Sequence, residues 1–436
     1  MINNFVVNKE LKNEYQYYEF SNDKDFYNAT EDLLKNGYVI KRHIFLALEL
    51  EGDKKIILSP LHLTNPEDYE NELLNMIPKH ETEMPNFNDS VLNIISGFRA
   101  NYGFEGKYDV DKEIFDKKYE HTIVLLLDGL GVNVLEKNLD ENSHLRIHKF
   151  KNVHSIFPST TAAATTSIKT GKTPLETGWT GWHNYFEEIK RDVILFNGID
   201  YYTEEKTGQS AFKLNPYKPY FSDMGMGNIV EPDFSKKKNK LKEVLKRSLK
   251  TIKNDKTQYV YWSEPDSSMH DIGTYEPEIK RLLDKIDKQV YSYAKKLPEN
   301  TLLIVTADHG HIPVKAIHFF DNKILMNLLE RRPGNDTRAL SFKVKEGMKE
   351  EFVKMFNFFY QDLYKLYPSD EALKLGFFGD PNGEISPFVK GFLGDYVAFG
   401  INEYILQTKE DDFVFKSHHA GITKEEMFVP IIVFKK

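Results

Sequence analysis

The sequence predicts an α/β protein: a doubly wound, mostly parallel sheet sandwiched by helices, with an inserted cap and a small N-terminal α+β module. Three observations predict it. The segment HTIVLLLDG from His121 is a continuous apolar run ending in a carboxylate and a glycine, the pattern of a central parallel strand buried on both faces. The same pattern returns at residues 258–262 (QYVYW, then SEPD) and 301–306 (TLLIVT, then ADHG). Helical periodicity separates these runs at residues 240–252 and 278–296, and strands alternating with helices imply a doubly wound sheet.

Taken in order, residues 1–115 form the N-terminal module. A helix is expected over 26–35, ending before Gly37. Two apolar stretches, 38–50 and 55–58, flank Gly52-Asp53, a hairpin signal. Residues 90–101 have the look of a short amphipathic helix. The α/β core spans 116–311 and 415–436, closing on a final strand, FVPIIVF. Residues 312–414 form the inserted cap, with a strand at 340–344, a helix at 346–366 and a Gly/Pro-rich stretch at 376–387.

Composition narrows the function. The chain has 436 residues, 40% hydrophobic and 28% charged, with a net charge of −8 and no cysteine. Interspersed charge with a negative balance argues against a duplex nucleic-acid binder, which carries a basic face. The apolar runs are too short to span a bilayer, and residues 1–20 lack the pattern of a secretory leader. Together with the missing cysteines, these features give a cytoplasmic expectation. Small anionic substrates stay open, because bound metals can overcome a negative global charge.

In an open α/β sheet, ligands sit outside the carboxyl ends of the strands, so Asp128, Asp266 and Asp308 are expected along one sheet edge. Four segments carry the chemistry: LLLDGLG, FPSTTAAATTSIKTGKTP, EPDSSMHDIG with TADHGH, and SHHAGITKEEMFVP. They add His270, His309 and His419. Carboxylate and imidazole donors without thiolate suit zinc first, with manganese or iron as alternatives. A pair of metals can clamp the attacking and leaving oxygens of a phosphoryl transfer. Thr161 precedes Ala162-Ala163-Ala164 and so stands where a helix begins. There the free N–H groups and the helix dipole favour an anion. A threonine hydroxyl needs a base or a metal to become a nucleophile. Considered alone, the residue reads as a helix cap; the other three segments favour the nucleophile.

These segments resemble the alkaline phosphatase superfamily, specifically its nucleotide pyrophosphatase/phosphodiesterase branch. That branch has a strand ending in Asp-Gly, then Pro-x-x-Thr with a later Thr-Gly, as in Pro158, Thr161, Thr170 and Gly171 here. Next come Glu-Pro-Asp-Ser-x-x-His, Ser/Ala-Asp-His-Gly and a late histidine. The resemblance implies an alkaline phosphatase-like core and two metal sites. One is held by Asp266, His270 and His419, the other by Asp128, Asp308 and His309 with Thr161 reaching toward it. His419 is preferred to His418 because Ala420-Gly421-Ile422 follows it as in the family pattern. The implied activity is hydrolysis of phosphodiesters or nucleotide pyrophosphates through a phosphothreonine intermediate.

One departure stands out. The family pattern places an asparagine three residues after the nucleophile, pointing at the phosphoryl oxygen, and here the position is Ala164. Thr165, Asn184 or a backbone N–H are the substitutes on offer. In GWTGWHNYFEE, Trp179, Trp182 and Tyr185 could stack on a base or other flat group. Gly171-Lys172-Thr173 is not a P-loop, since the required earlier glycine is Thr166. His154, His183 and His318 read as packing or surface histidines, and Asp271 and His311 as orienting partners of metal-bound imidazoles. The competing readings are a phosphomonoesterase, phosphonate hydrolase or sulfatase of the same superfamily, and a metal-stabilised binding protein without catalysis. Oligomeric state is not readable from the sequence.

Overall fold

The strand His121–Leu127 is buried at every position because parallel neighbours flank it and helices cover both faces. In the computed structural model, which describes residues 7–436 apart from 12–13, 22, 61–62, 64, 77–79, 236–238 and 412, this strand lies third in a six-stranded sheet. The order is Gly227–Val230, Thr257–Trp262, His121–Leu127, Thr301–Thr306, Phe428–Lys435 and Lys149–His154. Only Phe428–Lys435 runs against the others. The expected mostly parallel sheet is therefore present.

Register aligns the strand ends. Leu127 pairs with Trp262 and Leu126 with Thr306, so the residues after each strand emerge at one edge. Helices Leu241–Thr251 and Pro277–Ala294 pack on this sheet. The second buries Ile279, Leu283, Ile286 and Val290 at helical spacing. Helix Val91–Asn101, capped by Ser90, joins the same core through Leu92, Ile95 and Phe98. It was expected with the N-terminal module, and its nearly all-round burial explains the different placement.

The N-terminal strands form a five-stranded sheet beside helix Asp23–Lys35. Its apolar face does not close on itself. It shares one core with the insert, where Tyr27 meets Phe359 edge-on and Phe45 meets Tyr404. The expected stretch 38–50 is two strands, Val39–Ile44 and Ala47–Glu51, broken where Phe45 takes a positive φ of 52°.

The insert differs in two respects. The helix expected over 346–366 is Lys349–Tyr360, and the chain then becomes a strand, Tyr364–Pro368. The aromatic run YKLYP finds an antiparallel partner in Tyr396–Gly400, and pairing of aromatic residues outweighs helix propensity there. The insert is also not a free-standing cap. Its strands Gly334–Asp336, Ala339–Phe342, Tyr364–Pro368 and Tyr396–Gly400 join His183–Phe186 and Arg191–Ile194 in a second six-stranded sheet. Among the described residues, no helix is long and apolar enough to cross a membrane.

Candidate active site

Asp128 leaves the central strand and is followed by Gly129, whose φ of 73° turns its N–H onto Asp308 Oδ1 at 3.0 Å. The His309 N–H reaches the same oxygen at 3.1 Å. Gly310 has no room for a side chain, since a Cβ would lie 1.8 Å from the Glu425 carbonyl oxygen. These local constraints fix Asp128, Asp308 and His309 against one another. His309 Nε2 lies 3.4 Å from Asp128 Oδ1 and 3.7 Å from Asp308 Oδ2.

The second group gathers around Asp266, which opens the helix Asp266–Ile272. His270 stands one turn on, so its Nε2 comes within 3.3 Å of Asp266 Oδ1. His419 Nε2 lies 3.6 Å and His311 Nε2 2.7 Å from the same oxygen. The rings of His309 and His419 stack at 3.7 Å, linking the two groups. Thr161 Oγ1 is 3.2 Å from His309 Nε2. The first residue of the helix Thr161–Thr170 thus faces the Asp128 group.

Every ring is oriented the same way. Nδ1–H donates to a backbone carbonyl in three cases: His270 to Ser417 at 2.9 Å, His309 to Gly310 at 3.0 Å and His419 to Ser159 at 3.0 Å. His311 Nδ1–H donates to Ser417 Oγ at 3.0 Å, whose own proton goes to the Met269 carbonyl. Each Nε2 lone pair is therefore turned inward, as metal-ligating histidines require.

The donor atoms test whether cations fit. Among the described residues, Asp128 Oδ1 and Asp308 Oδ2 are buried with no hydrogen-bond partner, a costly arrangement that a bound cation would relieve. The other oxygen of each is occupied, Asp128 Oδ2 by the Tyr261 hydroxyl and Asp308 Oδ1 by the two amides. Burial, then the charges of Asp308 and Asp266, push the Asp128 carboxyl well above the usual range. Burial also raises Asp308. Burial opposes ionisation of Asp266, but the neighbouring His270 outweighs it and holds that carboxyl well below its ordinary value. Burial draws His311 down to about 4 and His419 further below its usual value, leaving neutral rings. Ligand atoms of Asp266, His309, His311 and His419 lie within 4.8 Å of one another, as do those of Asp128, Asp308 and His309. The residues present fit two divalent ions.

A model of the type I phosphodiesterase / nucleotide pyrophosphatase family matches residues 122–200 and 194–388. The chain belongs to that family. It is accordingly a phosphoric ester hydrolase of a metal-dependent family. The solved structure of human ectonucleotide pyrophosphatase/phosphodiesterase 5 superposes with a TM-score of 0.55 at 13% identity, covering 72% of this chain and 88% of that one. The murine counterpart, in an inactive form in complex with AMP, gives 0.53 at 14% identity, with the same coverage. At such identities the likeness speaks for the fold, which is the nucleotide pyrophosphatase/phosphodiesterase fold with an alkaline phosphatase-like core.

The remaining sequence expectations divide. Trp179 is a packing residue; it is 3% exposed, meets the Tyr217 ring edge-on, and its Nε1–H donates to the Asn215 carbonyl. Trp182 is 38% exposed beside Phe196. Asn184 faces the buried side, its Nδ2 donating to Thr180 Oγ1 at 3.1 Å and Asn335 Oδ1 at 2.6 Å. Tyr185 points to the opposite face of that strand, beneath the Arg331 guanidinium, as period-two alternation dictates. Thr165 is buried in its helix. Of the two orienting candidates, His311 touches Asp266 and Asp271 is exposed. His154 and His183 pack against Phe428 and Tyr201, and His318 sits half-exposed beside Phe320. Sequence reasoning missed Tyr261, Ser417 and Asp336. For Tyr261 a signal existed: on the strand before EPD, alternation and register with Leu126 put it at the sheet edge beside Asp128.

Proposed function

We propose that this chain is a two-metal phosphodiesterase or nucleotide pyrophosphatase in which Thr161 is the nucleophile. The observation that carries the reading is the Thr161 hydroxyl, 3.2 Å from His309 Nε2, beside two buried carboxylate oxygens without partners. Asp128, Asp308 and His309 would hold one ion and Asp266, His270 and His419 the other, with zinc favoured by the donor set. When bound, the ions lower the pKa of the attacking hydroxyl and neutralise charge on the phosphoryl oxygens.

Thr161 Oγ1 forms a bond to phosphorus as the bond to the leaving oxygen breaks, giving a phosphothreonine. Water then cleaves the Oγ1–P bond and restores the hydroxyl. The helix behind Thr161 contributes its amino-terminal dipole to the anion. The AMP held by the murine structure favours a nucleotide substrate. Trp182 and Phe196, half-exposed and 5.6 Å apart with their rings tilted by 57°, offer aromatic faces against which a base could pack. In this reading residues 116–311 and 415–436, with helix Val91–Asn101, form the catalytic core. The N-terminal sheet and insert form an accessory body.

The test is hydrolysis of bis-p-nitrophenyl phosphate by the zinc-loaded protein and its T161A variant. Activity should fall by at least about a thousand-fold, as expected when a nucleophile is removed. Quenched turnover should leave a phosphorylated peptide containing Thr161. Full activity in T161A, or faster turnover of the monoester than of the diester by the unaltered protein, would defeat this reading.

A further inference from the structure

The chain that leads from the N-terminal sheet toward the core crosses the turn that follows His419. The Glu83 N–H donates to the Ile422 carbonyl at 2.8 Å, and the Lys424 N–H donates to the Glu81 carbonyl at 2.8 Å. Thr82 and Thr423 pair between them as in an antiparallel ladder. Residues 80–83 thus form a strap over residues 422–425. Side chains add to it: the Lys424 ammonium meets the Glu81 carboxylate, and Glu83 Oε1 lies 3.4 Å from His154 Nε2.

The strapped turn touches both groups of candidate ligands. It starts three residues after His419. At its far end the Gly310 N–H donates to the Glu426 carbonyl at 2.9 Å, and the Glu425 carbonyl oxygen lies too close to Gly310 for any side chain to stand there. The Gly310 carbonyl in turn receives the His309 Nδ1–H at 3.0 Å. A displacement of residues 422–426 therefore carries His309 and His419 with it.

His80 fastens one end of the strap. Its side chain is 12% exposed, with Nε2 3.0 Å from Glu403 Oε1 in the insert and Nδ1 3.3 Å from Glu425 Oε2 in the turn. An imidazole with a carboxylate at each nitrogen needs a proton on both, which only the charged ring has. A neutral ring turns a lone pair toward one of the two. Glu403 and Glu425 are the charged groups that face the ring, while Lys137 of the helix Val132–Asn138 and Lys424 act on Glu425.

We propose that His80 is a positioning residue for the metal centre. By bridging Glu403 and Glu425 it latches the strap over residues 422–426, and so holds the segments of His309 and His419 at the spacing that the cations require. Glu425 first, then Glu403, raise the pKa of His80 above 6.5 against the effect of burial. The latch is therefore closed in acid and opens as pH climbs through the raised value. The inference rests on the reading of the Asp and His cluster as a metal centre.

The experiment measures zinc affinity of the full chain by chelator competition at pH 6 and pH 9. Amide exchange of the metal-free protein is followed alongside by mass spectrometry. H80Q cannot carry a charge. At pH 6 it should bind zinc about three-fold more weakly than the unaltered chain, the scale of a partly exposed ion pair, and its residues 420–427 should exchange faster. At pH 9 the two should bind alike. H80K stays charged at both pH values, so at pH 9 it should bind zinc about three-fold more tightly than the unaltered chain. A merely structural role for His80 predicts neither the convergence nor that gain. Equal affinities of H80Q and the unaltered chain at pH 6, or an H80K no tighter than the unaltered chain at pH 9, overturns the latch alone. An unaltered chain that binds no zinc overturns the metal reading, and this inference with it.

Discussion

Replacing Arg338 with methionine should be among the most damaging single changes outside the candidate site. The side chain is fully buried. Its Nε and Nη2 reach Glu426 Oε1 and Oε2 at 2.7 and 2.8 Å, and Nη1 donates to the carbonyls of Asn402 and Tyr404 at 2.6 and 2.7 Å. R338M fills most of the volume but leaves two buried carbonyls and one buried carboxylate without their charged donor. Removing one partner of a buried pair typically costs about 3–5 kcal/mol, because the remaining charge stays uncompensated. Glu426 keeps some donors, the Gly421 N–H and the Thr423 hydroxyl, so the lower end, about 3 kcal/mol, is expected. The assay is urea unfolding followed by tryptophan fluorescence. R338M/E426Q should recover at least about 1 kcal/mol, since neutral glutamine tolerates burial better than an unpaired carboxylate. A loss below about 1 kcal/mol in R338M, or a double variant less stable than the single one, would refute the argument.

Other expectations follow from the same geometry. Y261F removes the donor to Asp128 Oδ2 and should weaken zinc binding by about 10–100-fold in chelator competition, the usual effect of losing an outer-shell partner. Prolonged chelation should lower the unfolding temperature and re-added zinc restore it; at a hundred times the dissociation constant the gain is about 2.7 kcal/mol. No change on chelation would count against the metal reading. His80 lies 3.0 Å from Glu403 and 3.3 Å from Glu425, and its pKa is raised above 6.5, chiefly by the Glu425 carboxylate beside it. A raised folded value stabilises the protein below the unfolded pKa and loses that contribution as pH climbs through the folded value. The stability gap between the unaltered protein and H80A should therefore be present at pH 6 and shrink toward pH 9; a gap that grows with pH would contradict it.

What the sequence disclosed depended on how strongly each residue's surroundings constrained it. The strand His121–Leu127 is buried at all seven positions, so its composition announced it, and Asp128 followed from position. Lys149–His154 is an edge strand with alternating polar residues, KFKNVH, and no apolar run marked it. Helix Thr161–Thr170 was legible from its alanines and from Gly171, which takes the left-handed conformation at its end. Trp179 and Tyr185 illustrate the opposite case. Their chemistry suits a binding surface, but only the fold decides that one is buried against Tyr217 and the other turns to the far side of its strand. Asp336 lay in an unremarkable GNDT, and nothing local distinguishes it from a turn aspartate. Its partner is 176 positions away.

The insert's part in the site is best understood from four consecutive residues. Asn335 accepts from Thr180 and Asn184, Asp336 accepts from Thr160, Thr337 Oγ1 lies 3.4 Å from His418 Nε2, and Arg338 grips Glu426. Each contact lands on a different segment: the stretch after the Thr161 helix, the residue before Thr161, the histidine pair, and the turn that follows it. Asn335 and Asp336 end a strand and Thr337 and Arg338 form the turn to the next one, Ala339–Phe342, so one short hairpin braces several segments at once. A flexible lid could not do this, because the four contacts require a fixed backbone. Fixity comes from the second sheet and from the core that the insert shares with the N-terminal strands. The N-terminal module, which carries no recognisable chemical motif, therefore bears on the candidate site at one remove. It supplies the apolar surface that keeps the insert rigid, and through residues 335–338 that rigidity reaches the helix on which Thr161 stands.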